Sequence, residues 1–213
     1  MQLRVGGETG SGNGLYDGVV EFAGGTPEWL RVSFALFTDA GLVVLAVLLA
    51  VAWWRARGRG DLVTTVVALL APVVTVLAYG VSEALKAVVE EERPCRGLPV
   101  GFTVAVCPEV GDWSFPSNHS AIAGAAAVGL ALAWRELRGL AVVLAVLMAF
   151  SRVFVGAHYP HDVLAGLLLG AVVAWVAIRL LTDRATALAV GVGDHRLLGW
   201  VVRATPPRVG SRR

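Results

Sequence analysis

The chain has 213 residues, of which 56% are hydrophobic, with a mean hydropathy of +0.70 and a formal net charge of +2. One domain this apolar does not fit an ordinary soluble protein. The small net charge says little about partners, and no nucleic-acid partner is expected. The apolar residues come in charge-free blocks and lack the charged outer stripe that a soluble all-helical bundle needs.

Residues 1–33 are Gly-rich and mixed, with a short amphipathic piece around Leu15–Phe22 that reads as an interfacial helix or lead-in. Charge then disappears between Asp39 and Arg55, Asp61 and Glu83, Asp112 and Arg135, Arg138 and Arg152, and Asp162 and Arg179. A bilayer core takes about 20 apolar residues of helix. The shorter blocks reach that length when a charged residue near a helix end extends to the interface or a polar cavity. The blocks therefore predict helices over residues 34–54, 62–83, 118–134, 139–156 and 162–181. The expected fold is an all-α polytopic membrane bundle of about five helices, or six if the N-terminal segment inserts. Residues 34–182 would form the membrane domain and residues 183–213 a basic cytoplasmic tail.

Arg55, Arg57 and Arg59 follow the first helix, Arg135 and Arg138 follow the third, and a run of arginines from Arg179 to Arg213 follows the fifth. The positive-inside rule places these regions in the cytoplasm and sends segments 84–117 and 152–161 to the opposite side. Cys95 and Cys107, the only cysteines, fall in the outward loop. A disulfide is allowed in that compartment, and spacing alone does not decide between it and two free thiols.

The unusual polar residues gather on the outward side. Lys86, the single lysine in a chain with 17 arginines, leads into Glu90, Glu91, Glu92, Arg93 and Pro94. Alone, this is an ordinary juxtamembrane charge cluster. Ser114-Phe115-Pro116-Ser117-Asn118-His119 precedes the third helix, and Pro116 with Ser117 reads as a helix start. A helix N-terminus seats phosphate well, although a plain capping motif fits these residues as well. Ser151-Arg152 closes the fourth helix, and His158-Tyr159-Pro160-His161-Asp162 opens the fifth. Asp162, four residues after His158, can accept a hydrogen bond from its Nδ1–H and leave Nε2 as a nucleophile. A zinc site on His158, His161 and Asp162 is the alternative, as is simple interfacial polarity. Taken together, the groups place three cations, two histidines, a carboxylate and a helix N-terminus on one membrane face, which is what phosphoryl transfer requires.

The pattern K-x6-RP, then PSxH, then SR-x5-H-x3-D resembles the three signature motifs of the type 2 phosphatidic acid phosphatase family, which shares its site with vanadium haloperoxidases. Lys86, Arg93, Pro94, Pro116, Ser117, His119, Ser151, Arg152, His158 and Asp162 all fit in order and spacing, across roughly residues 30–182. Length and wording are most similar to the bacterial undecaprenyl-diphosphatase branch related to bacitracin resistance. Asn118 stands where the family most often has Gly; the backbone N–H is kept, and the added side chain is expected to narrow the pocket.

The resemblance implies a lipid phosphate or diphosphate substrate held by Lys86, Arg93, Arg152, Ser117 and the backbone N–H groups near Asn118. His158 would attack phosphorus, Asp162 would orient it, and His119 would protonate the leaving oxygen and then activate water. His158 would work neutral and His119 protonated, giving a bell-shaped dependence of rate on pH. No cofactor or metal is expected, because three fixed cations serve in its place. His161 and His195 are expected to stand outside the chemistry. The leading expectation is a polyprenyl-diphosphate phosphatase of the bacterial cell membrane, active on the extracytoplasmic side. A phosphatidic acid or phosphatidylglycerophosphate phosphatase is the alternative, followed by a non-catalytic lipid-binding or transport protein.

Overall fold

The computed structural model describes residues 14–99, 101–193 and 199–202. His195 and the arginines at 196, 203, 208, 212 and 213 lie outside them. The described residues form helices α1 (Gly14–Gly25), α2 (Glu28–Gly58), α3 (Leu62–Val89), α4 (Asn118–Ala133), α5 (Arg138–Phe154), α6 (Pro160–Gly193) and α7 (Gly199–Val202), with no strand among them. Four apolar stretches, Glu28–Gly58, Leu62–Val89, Arg135–Phe154 and Pro160–Gly191, are long enough to cross a membrane. α4 is shorter. At 16 residues it spans roughly 24 Å. α1, at 12 residues, is too short to cross at all.

α4 can be short because the other helices enclose it. Its Ala121, Ala123, Ala125, Ala126 and Leu130 are buried, and it packs on α2, α3, α5 and α6. Small residues permit this close packing. A Cβ on Gly170 of α6 would run into the carbonyl oxygen of Ala121, and one on Gly124 would run into that of Leu167. The α4–α6 contact therefore brings the start of α4 beside the start of α6, and the Ser117 N–H donates to the Asp162 carbonyl at 3.1 Å.

Three helices extend well past the expected boundaries. α2 runs Glu28–Gly58 instead of 34–54, longer at both ends. α3 runs to Val89 instead of residue 83, which puts Lys86 in its last turn, and Glu90 ends it in the left-handed region at φ 50°. α6 continues past Thr182 to Gly193, so the first part of the expected tail is helical. At this end of the bundle Arg55 pairs with Glu136 at 3.2 Å, and the Trp53 indole N–H donates to the Val201 carbonyl at 3.0 Å.

Candidate active site

The loop between α3 and α4 is fastened against the α5–α6 junction. Cys95 and Cys107 form a disulfide. The Ala105 N–H donates to the Val155 carbonyl at 3.0 Å, and the Ser114 N–H to the Glu91 carbonyl at 2.7 Å. α1 covers the same junction, where the buried Tyr16 hydroxyl donates to the Gly156 carbonyl at 3.0 Å. Gly156 turns the chain at φ +83°, a conformation that side chains rarely adopt. That turn delivers His158 to the interior, where it is 1% exposed.

Two buried cations, Arg93 and Arg152, act on this histidine, and a third, Lys86, is buried beside Arg93 with Asp112 between them. Arg93 Nη1 donates to the Ala157 carbonyl at 3.0 Å and lies 3.1 Å from His158 Nε2. A guanidinium has no acceptor, so this contact requires a lone pair on Nε2 and places the ring proton on Nδ1. Arg152 Nη1 donates to Thr38 Oγ1 at 2.8 Å, while its buried Nε has no hydrogen-bond partner. The Arg152 charge acts on both His119 and His158, so the two imidazoles share one electrostatic site. Burial pushes the His158 imidazole down to about 3; Asp162 pulls the other way, and Arg93 and Arg152 add to the fall.

The support of His158 is more elaborate than a direct carboxylate contact. Asp162, fully buried in the first turn of α6, approaches His158 Nδ1 only to 3.4 Å, longer than a good hydrogen bond. Ser114 Oγ fits between them: it donates to Asp162 Oδ2 at 2.5 Å and lies 3.4 Å from His158 Nδ1. The Tyr159 N–H also donates to Oδ2, at 2.8 Å. The expected single Nδ1–Asp162 bond is thus replaced by a three-residue arrangement.

Of the remaining expected site residues, Ser117 is buried at the start of α4 and its hydroxyl accepts from Ser120 at 3.2 Å. Asn118 directs its side chain to α3, donating to Glu83 and accepting from Ser82 Oγ at 2.7 Å, so this side chain is tied to a neighbouring helix instead of standing free in the pocket. His119 Nε2 faces Asp39 of α2 at 3.5 Å. His161 does not join His158 as a zinc pair; its Nε2 meets Glu91 Oε1 at 2.9 Å and Asp162 Oδ1 at 3.1 Å.

Thr38, Asp39 and Asp112 were not singled out as site residues by the sequence, and Ser114, though part of the motif before α4, was given no role. Asp112 is the largest of these omissions. Its Oδ1 lies 3.2 Å from Lys86 Nζ and 2.8 Å from Arg93 Nη2, and its carbonyl accepts from Arg93 Nε at 2.8 Å. A cavity of about 460 Å³ opens beside it, lined by Glu83, Lys86, Glu109 and Trp113 among others.

A bundle of membrane helices that buries three cations and one histidine at one end, with a second histidine half-buried on α4, has the parts of a phosphoryl-transfer site of a recognisable class. The chain belongs to the PAP2 superfamily, whose family model matches residues 66–186. Among curated relatives, an undecaprenyl-diphosphatase of Sulfolobus acidocaldarius is 36% identical over 108 residues, covering 49% of this chain and 50% of that protein. This chain thus spans about half the length of that relative. A decaprenylphosphoryl-5-phosphoribose phosphatase of Mycobacterium tuberculosis is 37% identical over 133 residues, covering 62% of this chain and 67% of that protein. The fold is similar to the crystal structure of a transmembrane PAP2-type phosphatidylglycerolphosphate phosphatase from Bacillus subtilis, with a TM-score of 0.58 at 23% identity, over 80% of this chain and 85% of that one.

Proposed function

We propose that this membrane phosphatase hydrolyses a polyprenyl diphosphate to the monophosphate through a phosphohistidine at His158, on the extracytoplasmic face. The observation that carries the chemistry is the His158 Nε2 lone pair held 3.1 Å from a buried guanidinium, with Nδ1 turned toward Asp162. The terminal phosphoryl group replaces the imidazole as the ligand of Arg93 and supplies the acceptor that Arg152 Nε lacks. Lys86, Ser117 and the N-terminus of α4, at Asn118, complete the cradle.

His158 Nε2 attacks the terminal phosphorus, the bond to the bridging oxygen breaks, and the lipid monophosphate departs with a proton from His119. His119, now neutral, takes a proton from water; the resulting hydroxide attacks phosphorus, the N–P bond breaks, and inorganic phosphate leaves. Asp162, set by Ser114, stabilises the charge on the His158 ring while phosphorus is attached. Asp39 orients His119 across their 3.5 Å contact.

The diphosphate substrate is supported by the Sulfolobus relative, and a second reading by the Mycobacterium one, which covers more of the chain and whose name specifies a phosphate on a polyprenyl-linked sugar. The test is phosphate release by purified protein in detergent from undecaprenyl diphosphate, decaprenylphosphoryl-5-phosphoribose, phosphatidylglycerophosphate and phosphatidic acid, with His158→Ala beside it. Fastest release from the diphosphate and none from the variant are expected. An active His158→Ala enzyme ends the phosphohistidine assignment, and faster release from the phosphoribose lipid replaces the substrate. His119→Ala should harm monoester substrates more than the diphosphate, because an alkoxide leaves badly without a proton.

A further inference from the structure

The roles proposed above use only one oxygen of Asp162. Oδ2 takes both donors, from Ser114 and Tyr159, whereas Oδ1 is buried and has no hydrogen-bond partner. A buried carboxylate oxygen in that condition asks for a cation. His161 Nε2 stands 3.1 Å from this oxygen and also 2.9 Å from Glu91 Oε1. These three ligand-type atoms all lie within 4.8 Å of one another.

We propose that Glu91, His161 and Asp162 form a site for a divalent transition-metal ion, zinc in the first instance, whose occupation damps turnover. Zinc bonds of 2.0–2.2 Å in a tetrahedron set ligand atoms roughly 3.3–3.6 Å apart. The present contacts at 2.9 and 3.1 Å are slightly closer, so an ion enters by opening them a few tenths of an ångström. The ligands are also held in place. The Glu91 carbonyl is fixed by the Ser114 N–H at 2.7 Å, and the His161 ring stacks on Tyr159 at 5.2 Å and 11°. His161 is half exposed and Glu91 partly so, which lets an ion arrive from water and keep a water as its fourth ligand. One imidazole with two carboxylates favours zinc-like cations over magnesium or calcium, which prefer all-oxygen shells.

The effect on turnover rests on the function proposed above. A metal on Oδ1 draws carboxylate charge away from Oδ2, and so from the histidine that must carry positive charge during phosphoryl transfer.

Zinc titrated into the purified protein in detergent, followed by calorimetry, reads binding without any substrate, and visible absorption of cobalt(II) reports tetrahedral geometry. The expected result is one saturable site in the micromolar range or tighter, weakened at least tenfold in both His161→Ala and Glu91→Gln, with magnesium giving no comparable signal. Turnover of the wild type should fall several-fold with the same midpoint, while His161→Ala keeps its basal rate and ignores zinc. No saturable binding, or equal binding by both variants, overturns the site. Binding that leaves turnover unchanged overturns its coupling to Asp162. An enzyme inactive on every lipid phosphate would sink the functional reading while the calorimetry still decides the site.

Discussion

Asp112 Oδ1 lies 2.8 Å from Arg93 Nη2, so a carboxylate stands against the same guanidinium that faces His158. Burial alone would raise the Asp112 carboxyl, but Arg93 and Lys86 outweigh it and hold it below the usual carboxylate range. It therefore stays ionised at any working pH and competes with an incoming phosphate for two cations. Asp112→Asn should tighten inhibition by inorganic phosphate roughly fivefold, the equivalent of about 1 kcal/mol for a partly exposed pair. The inhibition constant measured at fixed ionic strength checks this, and weaker inhibition would show that Asp112 holds the cations in place for the substrate.

Ser114→Ala removes the hydroxyl between Asp162 and His158. The ring then loses its aim without losing its charge partner. A fall in kcat of about tenfold, with KM within a factor of two, is expected from a loss of orientation. Steady-state kinetics on the preferred lipid decide it; an increase in KM at constant kcat would place Ser114 in substrate binding instead.

The depressed His158 pKa links protonation to folding. In the unfolded chain this imidazole takes up a proton near pH 6.5, whereas in the folded protein it does so only near 3. The unfolded state thus binds more protons between those values, and stability falls as pH drops through that window. His158→Gln should lose less stability than the wild type between pH 7 and pH 4.5. The gap in melting temperature should be roughly 2–4 °C for each kcal/mol of difference. Parallel declines in thermal melts of the two proteins would contradict the assignment.

Gly170→Ala forces a methyl group against the Ala121 carbonyl, where α6 meets α4. Overpacking of this kind costs about 1–3 kcal/mol. A melting temperature lower by several degrees is expected, together with reduced activity, since the same contact registers His119 against Asp162. Gly139→Ala, where nothing lies within 4 Å of the new methyl, serves as the neutral control.

The membrane helices were legible in the sequence because lipid forbids charge over a whole span, which leaves long gaps between Asp, Glu, Lys and Arg. The close packing of α4 was legible too, in its run of Gly and Ala. Helix ends were less so: Lys86 is charged, yet it remains on α3 because its stem and ammonium are buried against Asp112. The partners of the motif residues were invisible for another reason. Thr38 and Arg152 are 114 positions apart, and nothing in the local pattern around Thr38 or Asp39 marks a residue that meets a distant cation or imidazole. Ser114 lay inside the quoted motif, but its role depends on the α4–α6 packing that brings Asp162 to it.

The tryptophans at the far end of the bundle act as a depth gauge. Arg57 sits over Trp53, Trp54 and Trp200, Arg55 over Trp134, and Arg179 over Trp175, the mixture that settles at a headgroup boundary. Along α2, Arg55 and Asp39 are separated by 16 residues, roughly 24 Å, close to the thickness of the hydrocarbon layer. With one end moored at the first boundary, Asp39 and the His119 that faces it lie toward the second. Under the function proposed above, a lipid presents its phosphate from within its own leaflet while the tail remains in oil, and catalysis requires no extraction of the chain into water.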